Sequence, residues 1–192
     1  MAEVLLFHHA QGLTPGMHEF AATLRDNGHT VHLPDLFDGR TFDTVDDGVH
    51  HARSIGFGTL VERGRAVANE LPTNLVYAGF SMGVMPAQSL SQTRAGARGE
   101  LFFSACLPVS EFSGSWPAGV PVQIHSTEAD PEFVDTGDIE AARALVEEAD
   151  DAELFLYPGG SHLFVDSSLP SFQSDSAAVL TEYVLRFLDR LR

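Results

Sequence analysis

A doubly wound α/β domain is the architecture this sequence predicts, its mostly parallel sheet having about six or seven strands flanked by helices. Three observations predict it. Short apolar runs recur along the 192 residues, turn residues bound each run, and segments with helical spacing lie between most of them. Strands alternating with helices require a parallel sheet, because right-handed crossovers put helices over both faces.

Taken in order, VLLF at 4–7 reads as the first strand. The segment MHEFAATLRDNG places Met17, Phe20, Ala21 and Leu24 at i, i+3, i+4 and i+7, and Asn27-Gly28 stops that helix. TVHL at 30–33 is the second strand, and residues 35–57, rich in Asp and Gly, are expected to form an excursion over the carboxyl edge of the sheet. The acidic run 43–48 within it reads as surface loop. LVERGRAVANEL before Pro72 is helical, and NLVYA at 74–78 is the next strand. A helix starting in MGVMPAQSLSQTR follows, then strands ELFFSA at 100–105 and VPVQIH at 120–125. ARALVEEA at 142–149 and AAVLTEYVLRFLDRLR at the C-terminus are helices, on either side of the strand ELFLY at 153–157 and a Ser-rich excursion at 166–175.

A hydrophobic fraction of 44% with 20% charged residues is that of a soluble globular chain, and the length suits one domain over 1–192. Eleven basic against 27 acidic residues give a net charge of −16, a field that repels nucleic acid and anionic membranes alike. Cys106 is the sole thiol, so neither an intrachain disulfide nor a cysteine-based zinc site can form. The N-terminus MAEVLLFHHA lacks the basic leader and long apolar core of a signal peptide, and no run approaches the ~20 apolar residues of a membrane span. A cytoplasmic protein is expected.

Gly79-Phe80-Ser81-Met82-Gly83 carries the chemistry. Placed between a strand and a helix, G-x-S-x-G makes a turn so sharp that the serine adopts a strained backbone and stands above the sheet, while glycines let strand and helix approach. The Met82 N–H at the start of the helix is then available to an oxyanion, with Ala10 in the first βα loop as second donor. A serine hydroxyl is a poor nucleophile at neutral pH, so it needs a histidine and a carboxylate to orient that histidine, in the chain order Ser, acid, His. His162 in YPGGSHLF follows the last strand, and Asp130 in STEADPEF follows VPVQIH, with Glu128 and Asp135 as rivals for the acid.

These pieces resemble the dienelactone hydrolase family of the α/β-hydrolase fold over nearly the whole chain. They are the first strand ending in a loop with Gly12, the run Pro34-Asp35-Leu36-Phe37-Asp38-Gly39, the elbow at Ser81, Asp130, and Gly160-Ser161-His162. The resemblance implies hydrolysis of a small ester or lactone, without a cofactor. Founding members carry cysteine at the elbow, so the chain is similar to the serine-nucleophile relatives. The family's dienelactone-cleaving members hold the substrate carboxylate with an arginine four residues after the histidine. Here that position is Asp166, which is expected to repel an anionic lactone. The family also commonly carries a glutamate three residues before the loop glycine, where this chain has His9.

His9 is therefore expected beside the nucleophile as a substrate contact, together with Trp116 in GSWPAG and Arg40 in the excursion; His50 and His51 lie there too. The partner expected is a small-molecule ester or lactone, acted on by a monomer or homodimer. A metal centre built from His8, His9, His50 or His51 is disfavoured, because adjacent residues of a strand point to opposite faces. A non-catalytic binding protein of the same fold is the alternative, opposed by the presence of nucleophile, acid and base in order.

Overall fold

Each apolar run becomes a strand: β1 (Glu3–Phe7), β2 (Thr30–His32), β3 (Val76–Phe80), β4 (Gly99–Phe103), β5 (Val122–Thr127) and β6 (Ala152–Tyr157). The computed structural model describes residues 1–191. The pairings among these strands are all parallel and their order is β2-β1-β3-β4-β5-β6. The order reverses direction between β1 and β3, and a reversal of this kind opens a crevice at the carboxyl ends of the two strands. Phe7 pairs with Gly79 and Phe80 with Phe103, so the loops leaving β1, β3 and β4 emerge together at that edge.

Alternation along the strands builds two cores. Val4 and Leu6 on β1 face one side, where they meet Met17, Phe20 and Leu24 of α1 (Pro15–Asp26) and Leu180, Val184 and Phe187 of α7 (Ser174–Arg190). Leu5 and Phe7 face the other side, against Leu60 and Ala68 of α3 (Phe57–Asn69) and Ala87 and Leu90 of α4 (Val84–Thr93). Further along that side, Phe102, Val122 and Ile124 pack on Ile139, Ala142 and Leu145 of α6 (Asp138–Glu148). No helix among the described residues is long and apolar enough to cross a membrane.

One expectation fails here. The 35–57 excursion is not loop throughout, because Val45–Ile55 forms α2. Its acidic run is a helix start: the Thr44 hydroxyl accepts the Asp47 N–H at 3.1 Å, and Asp46 and Asp47 occupy the first turn, where negative charge complements the helix dipole. Gly56, at φ +93°, turns the chain directly into α3. A single turn, α5 (Pro131–Val134), precedes α6. The 166–175 segment stays irregular until α7 begins at Ser174.

Candidate active site

Directly after β3, Ser81 sits at φ +49°, a left-handed conformation that costs a non-glycine residue about 1–3 kcal/mol. Two glycines make the turn sterically possible. A Cβ on Gly79 would lie 2.2 Å from the Gly83 carbonyl oxygen, and one on Gly83 would lie 2.5 Å from that of Phe7. The strand, the helix that follows and the end of β1 are thereby brought into contact around one serine.

The Ser81 Oγ lies 2.8 Å from His162 Nε2, and His162 Nδ1 lies 2.7 Å from Asp130 Oδ2. A carboxylate only accepts, so Nδ1 carries the proton and Nε2 is left to accept from the serine hydroxyl. Asp130 is wholly buried and fixed by the Glu132 N–H, which donates to its other oxygen at 3.0 Å as α5 begins. The rivals stand elsewhere: Glu128 is exposed and its backbone N–H still pairs with Tyr157 O, while Asp135 is exposed at the end of α5.

The loop carrying His162 is tied down on several sides. Gly159 takes φ +104°, and Gly160 passes so close to the chain after β5 that a Cβ would lie 2.8 Å from Ala129 O. The Ser104 hydroxyl donates to His162 O at 2.5 Å, and that of Thr127 to Ser161 O at 3.2 Å.

A cleft of about 270 Å³ opens beside Ser81 and His162. Its apolar walls come from Val45 and Val49 of α2, Phe57 of α3, Met85 of α4, and Ala105 and Leu107 beyond β4. Met82 also lines it. The α5–α6 side contributes Glu132, Thr136 and Asp138. None of these wall residues apart from Met82 stood out in the sequence. The Thr44-x-x-Asp47 cap was the available signal for α2, but nothing local marks Asp138 as facing a cleft.

Ala10 is buried just past β1, against α2: a Cβ on Gly48 would lie 1.8 Å from the Ala10 carbonyl oxygen, so only glycine permits that contact. His9, Trp116 and Arg40 do not reach the cleft, contrary to expectation. His9 is wholly buried, its Nε2 2.8 Å from Asp166 Oδ2 and its Nδ1 accepting the Gln11 N–H at 3.2 Å. Trp116 packs edge-on to Phe102, and its indole N–H donates to Val120 O at 2.8 Å. Arg40 is exposed on the outer side of the excursion, where it shares a separate concavity with His50 and His51.

Asp166 likewise turns inward. It accepts from His9, from the Thr14 hydroxyl and from the Ser168 N–H and hydroxyl. Burial pushes its carboxyl up, but the bonds from His9, Ser168 and Thr14 outweigh that and hold it down at about 2. It does not line the cleft, contrary to the expectation that it meets a substrate there. His8 points the other way, accepting the Leu36 N–H at 2.9 Å and donating to His9 O at 2.8 Å; burial lowers its pKa to about 4. The two histidines thus anchor two different loops. Among the described residues no group of three or more His, Cys, Asp or Glu is arranged to hold a metal ion. Cys106 is buried, and burial pushes its thiol well up, as for an inert core cysteine.

A model of the dienelactone hydrolase family matches residues 1–191. The chain belongs to that family. Membership places it among hydrolases of the α/β-hydrolase fold, and solved structures share its architecture. A dienelactone hydrolase from Anabaena variabilis superposes with a TM-score of 0.62 at 18% identity, covering 97% of this chain and 86% of the other. A dienelactone hydrolase-like promiscuous phosphotriesterase from metagenomic libraries gives 0.70 at 17%, covering 100% and 87%. The monoacylglycerol lipase of Paleococcus ferrophilus gives 0.71 at 14%, covering 99% and 95%. No match to a curated protein was found.

Proposed function

We propose that this hydrolase cleaves a small carboxylic ester, lactone or thioester through an acyl-enzyme on Ser81. The observation that carries the reading is the continuous hydrogen-bonded chain from Ser81 through His162 to buried Asp130, opening on a cleft. In the proposed reaction His162 Nε2 takes the Ser81 proton as Oγ bonds to the acyl carbon, and Asp130 stabilises the imidazolium. The same proton passes to the departing oxygen or sulfur as its bond to the acyl carbon breaks. Water then attacks the acyl carbon as His162 takes its proton, and His162 passes that proton to Ser81 Oγ as the bond from Oγ to the acyl carbon breaks and the acid leaves. The backbone N–H groups of Met82 and Ala10 are proposed to hold the oxyanion, each worth about 3 kcal/mol in comparable sites.

Ser81→Ala tests the reading on p-nitrophenyl acetate. Turnover should disappear while the urea unfolding midpoint stays within error or rises, since alanine removes the nucleophile without opening a core cavity. Stoichiometric labelling of the unsubstituted protein by a fluorophosphonate should vanish in the same variant. Retained turnover in Ser81→Ala would overturn the assignment.

A further inference from the structure

The walls of the cleft carry a pattern of charge that the proposed chemistry does not require. The chain's basic residues are all arginines, and none lines the cleft. Several are committed elsewhere: Arg63 to Leu36 O and Asp38, Arg94 to Tyr77 and the carbonyls of Leu71 and Pro72, and Arg98 to Leu191 O. No wall residue other than His162 can become cationic, whereas two wall residues are acids, Glu132 and Asp138.

Asp138 is held in place. Its Oδ2 accepts the Cys106 N–H at 2.9 Å, just past β4, and its Oδ1 accepts the Thr136 hydroxyl at 3.2 Å. It is partly buried at the start of α6; burial raises its carboxyl pKa, while the Cys106 N–H, the Thr136 hydroxyl and His162 act to lower it. Glu132 stands exposed one turn earlier, on α5. Apart from Ser81, His162 and the uncharged hydroxyls of Ser104 and Thr136, the remaining walls are apolar. At about 270 Å³ the cleft falls below the roughly 300–1,000 Å³ of drug-sized sites, which suits a short chain.

We propose that the cleft is a charge filter: the carboxylates of Asp138 and Glu132, in a wall without arginine, select short apolar esters that are uncharged or cationic and reject those carrying a second carboxylate. This rests on the hydrolytic reading of Ser81. A carboxylate brought into this cleft meets two like charges and no cation, at a site where apolar walls weaken screening. The same two groups attract a quaternary ammonium. Asp166, four residues beyond His162, is not among the residues lining the cleft and accepts instead from His9, Thr14 and Ser168.

Three esters with one leaving group test the filter: p-nitrophenyl hexanoate, p-nitrophenyl hemiadipate and p-nitrophenyl 6-(trimethylammonio)hexanoate. They are assayed at pH 8 and low salt after subtraction of the uncatalysed rate. The kcat/KM ratio of hexanoate to hemiadipate should be about tenfold or more, the size expected for like charges in a partly desolvated site. The cationic ester should be at least as good as hexanoate. In Asp138→Asn and in Glu132→Gln the hexanoate to hemiadipate ratio should fall severalfold, and further in the double variant. Asparagine still accepts the Cys106 N–H, and Glu132 is exposed, so both variants should fold. Equal kcat/KM for hexanoate and hemiadipate, or a ratio that neither variant changes, would overturn the filter. Should none of the three be turned over, the hydrolytic reading fails separately. The filter is then decided by titration calorimetry of hexanamide against adipic acid monoamide, with the same ratio of Kd expected and equal Kd overturning it.

Discussion

Replacing Asp166 by asparagine isolates the clasp between the loop after β1 and the loop that carries His162. Around the carboxylate stand four donors: His9 Nε2, the Thr14 hydroxyl, and the N–H and hydroxyl of Ser168. An asparagine presents one oxygen and one NH2, so in either orientation a pair of donors faces another donor. Hydrogen bonds to a charged group contribute about 1.5–3 kcal/mol each, and part of that is lost. The carboxyl itself provides a second route to the number. Held at about 2 against an ordinary 3.8, it stabilises the fold by about 2 kcal/mol at neutral pH. Both routes lead to about 2–3 kcal/mol, or a Tm lowered by roughly 5–10 °C in a chain of this length. Because the folded-state pKa is depressed, this stabilisation is complete above about pH 5 and is lost as pH falls through 4 towards 2. Urea unfolding of both proteins from pH 7 down to pH 3 reads it directly. The gap in midpoints should be constant from pH 7 to about 5 and close below about 4. Equal midpoints at pH 7, or a gap indifferent to acid, would refute the reasoning.

Two further substitutions probe other parts of the fold. Glu100 is wholly buried on β4 with a Ser91 hydroxyl on one oxygen, and burial raises its pKa well above the usual value. The raised folded-state value means that stability is full below about pH 4.5 and declines as pH rises, so Glu100→Gln should gain on the unsubstituted protein steadily from pH 5 to 8 in urea unfolding. A difference independent of pH would show that Glu100 is ionised in place. Gly48→Ala puts a methyl 1.8 Å from the Ala10 carbonyl oxygen and should displace the proposed oxyanion donor. A fall in kcat of about tenfold to a hundredfold on p-nitrophenyl acetate is expected, within the value of one such donor. An unchanged kcat in a folded variant would remove Ala10 from the mechanism.

The strands and the Ser81–His162–Asp130 chain were legible because short-range sterics and periodicity dictate them. Gly79 and Gly83 are required by contacts within a few residues of Ser81 or with the neighbouring strand, so the five-residue elbow carries its own geometry. The choice of Asp130 over Glu128 followed from strand length: the Glu128 N–H still pairs with Tyr157 O, and the chain turns only beyond it, at the start of α5. By contrast the sequence around the start of α2 reads as loop. Its buried residues are only Gly48 and Ala52, while Val45 and Val49 face the cleft, so the apolar stripe that marks a core helix is thin. Its start was still encoded, in the Thr44 cap and the acids of the first turn.

The residues placed wrongly share one property: each sits in a segment whose neighbourhood position was right but whose side-chain direction depends on a partner far along the chain. His9 leaves β1 at the correct edge, yet its ring is fixed by Asp166, 157 residues away. Trp116 packs into the core on Phe102 with its indole N–H on Val120 O, and Arg40 lies outward at a close backbone approach, where a Cβ on Gly12 would come within 2.3 Å of the Arg40 carbonyl oxygen. The family comparison compounds this for His9 and Asp166, since it equates positions where the resemblance implies a glutamate and an arginine. Here those two positions meet each other, a histidine N–H donating to a buried carboxylate. The acids that line the cleft, Asp138 and Glu132, lie outside the motif, so under the proposed filter the motif does not fix which substrate is taken.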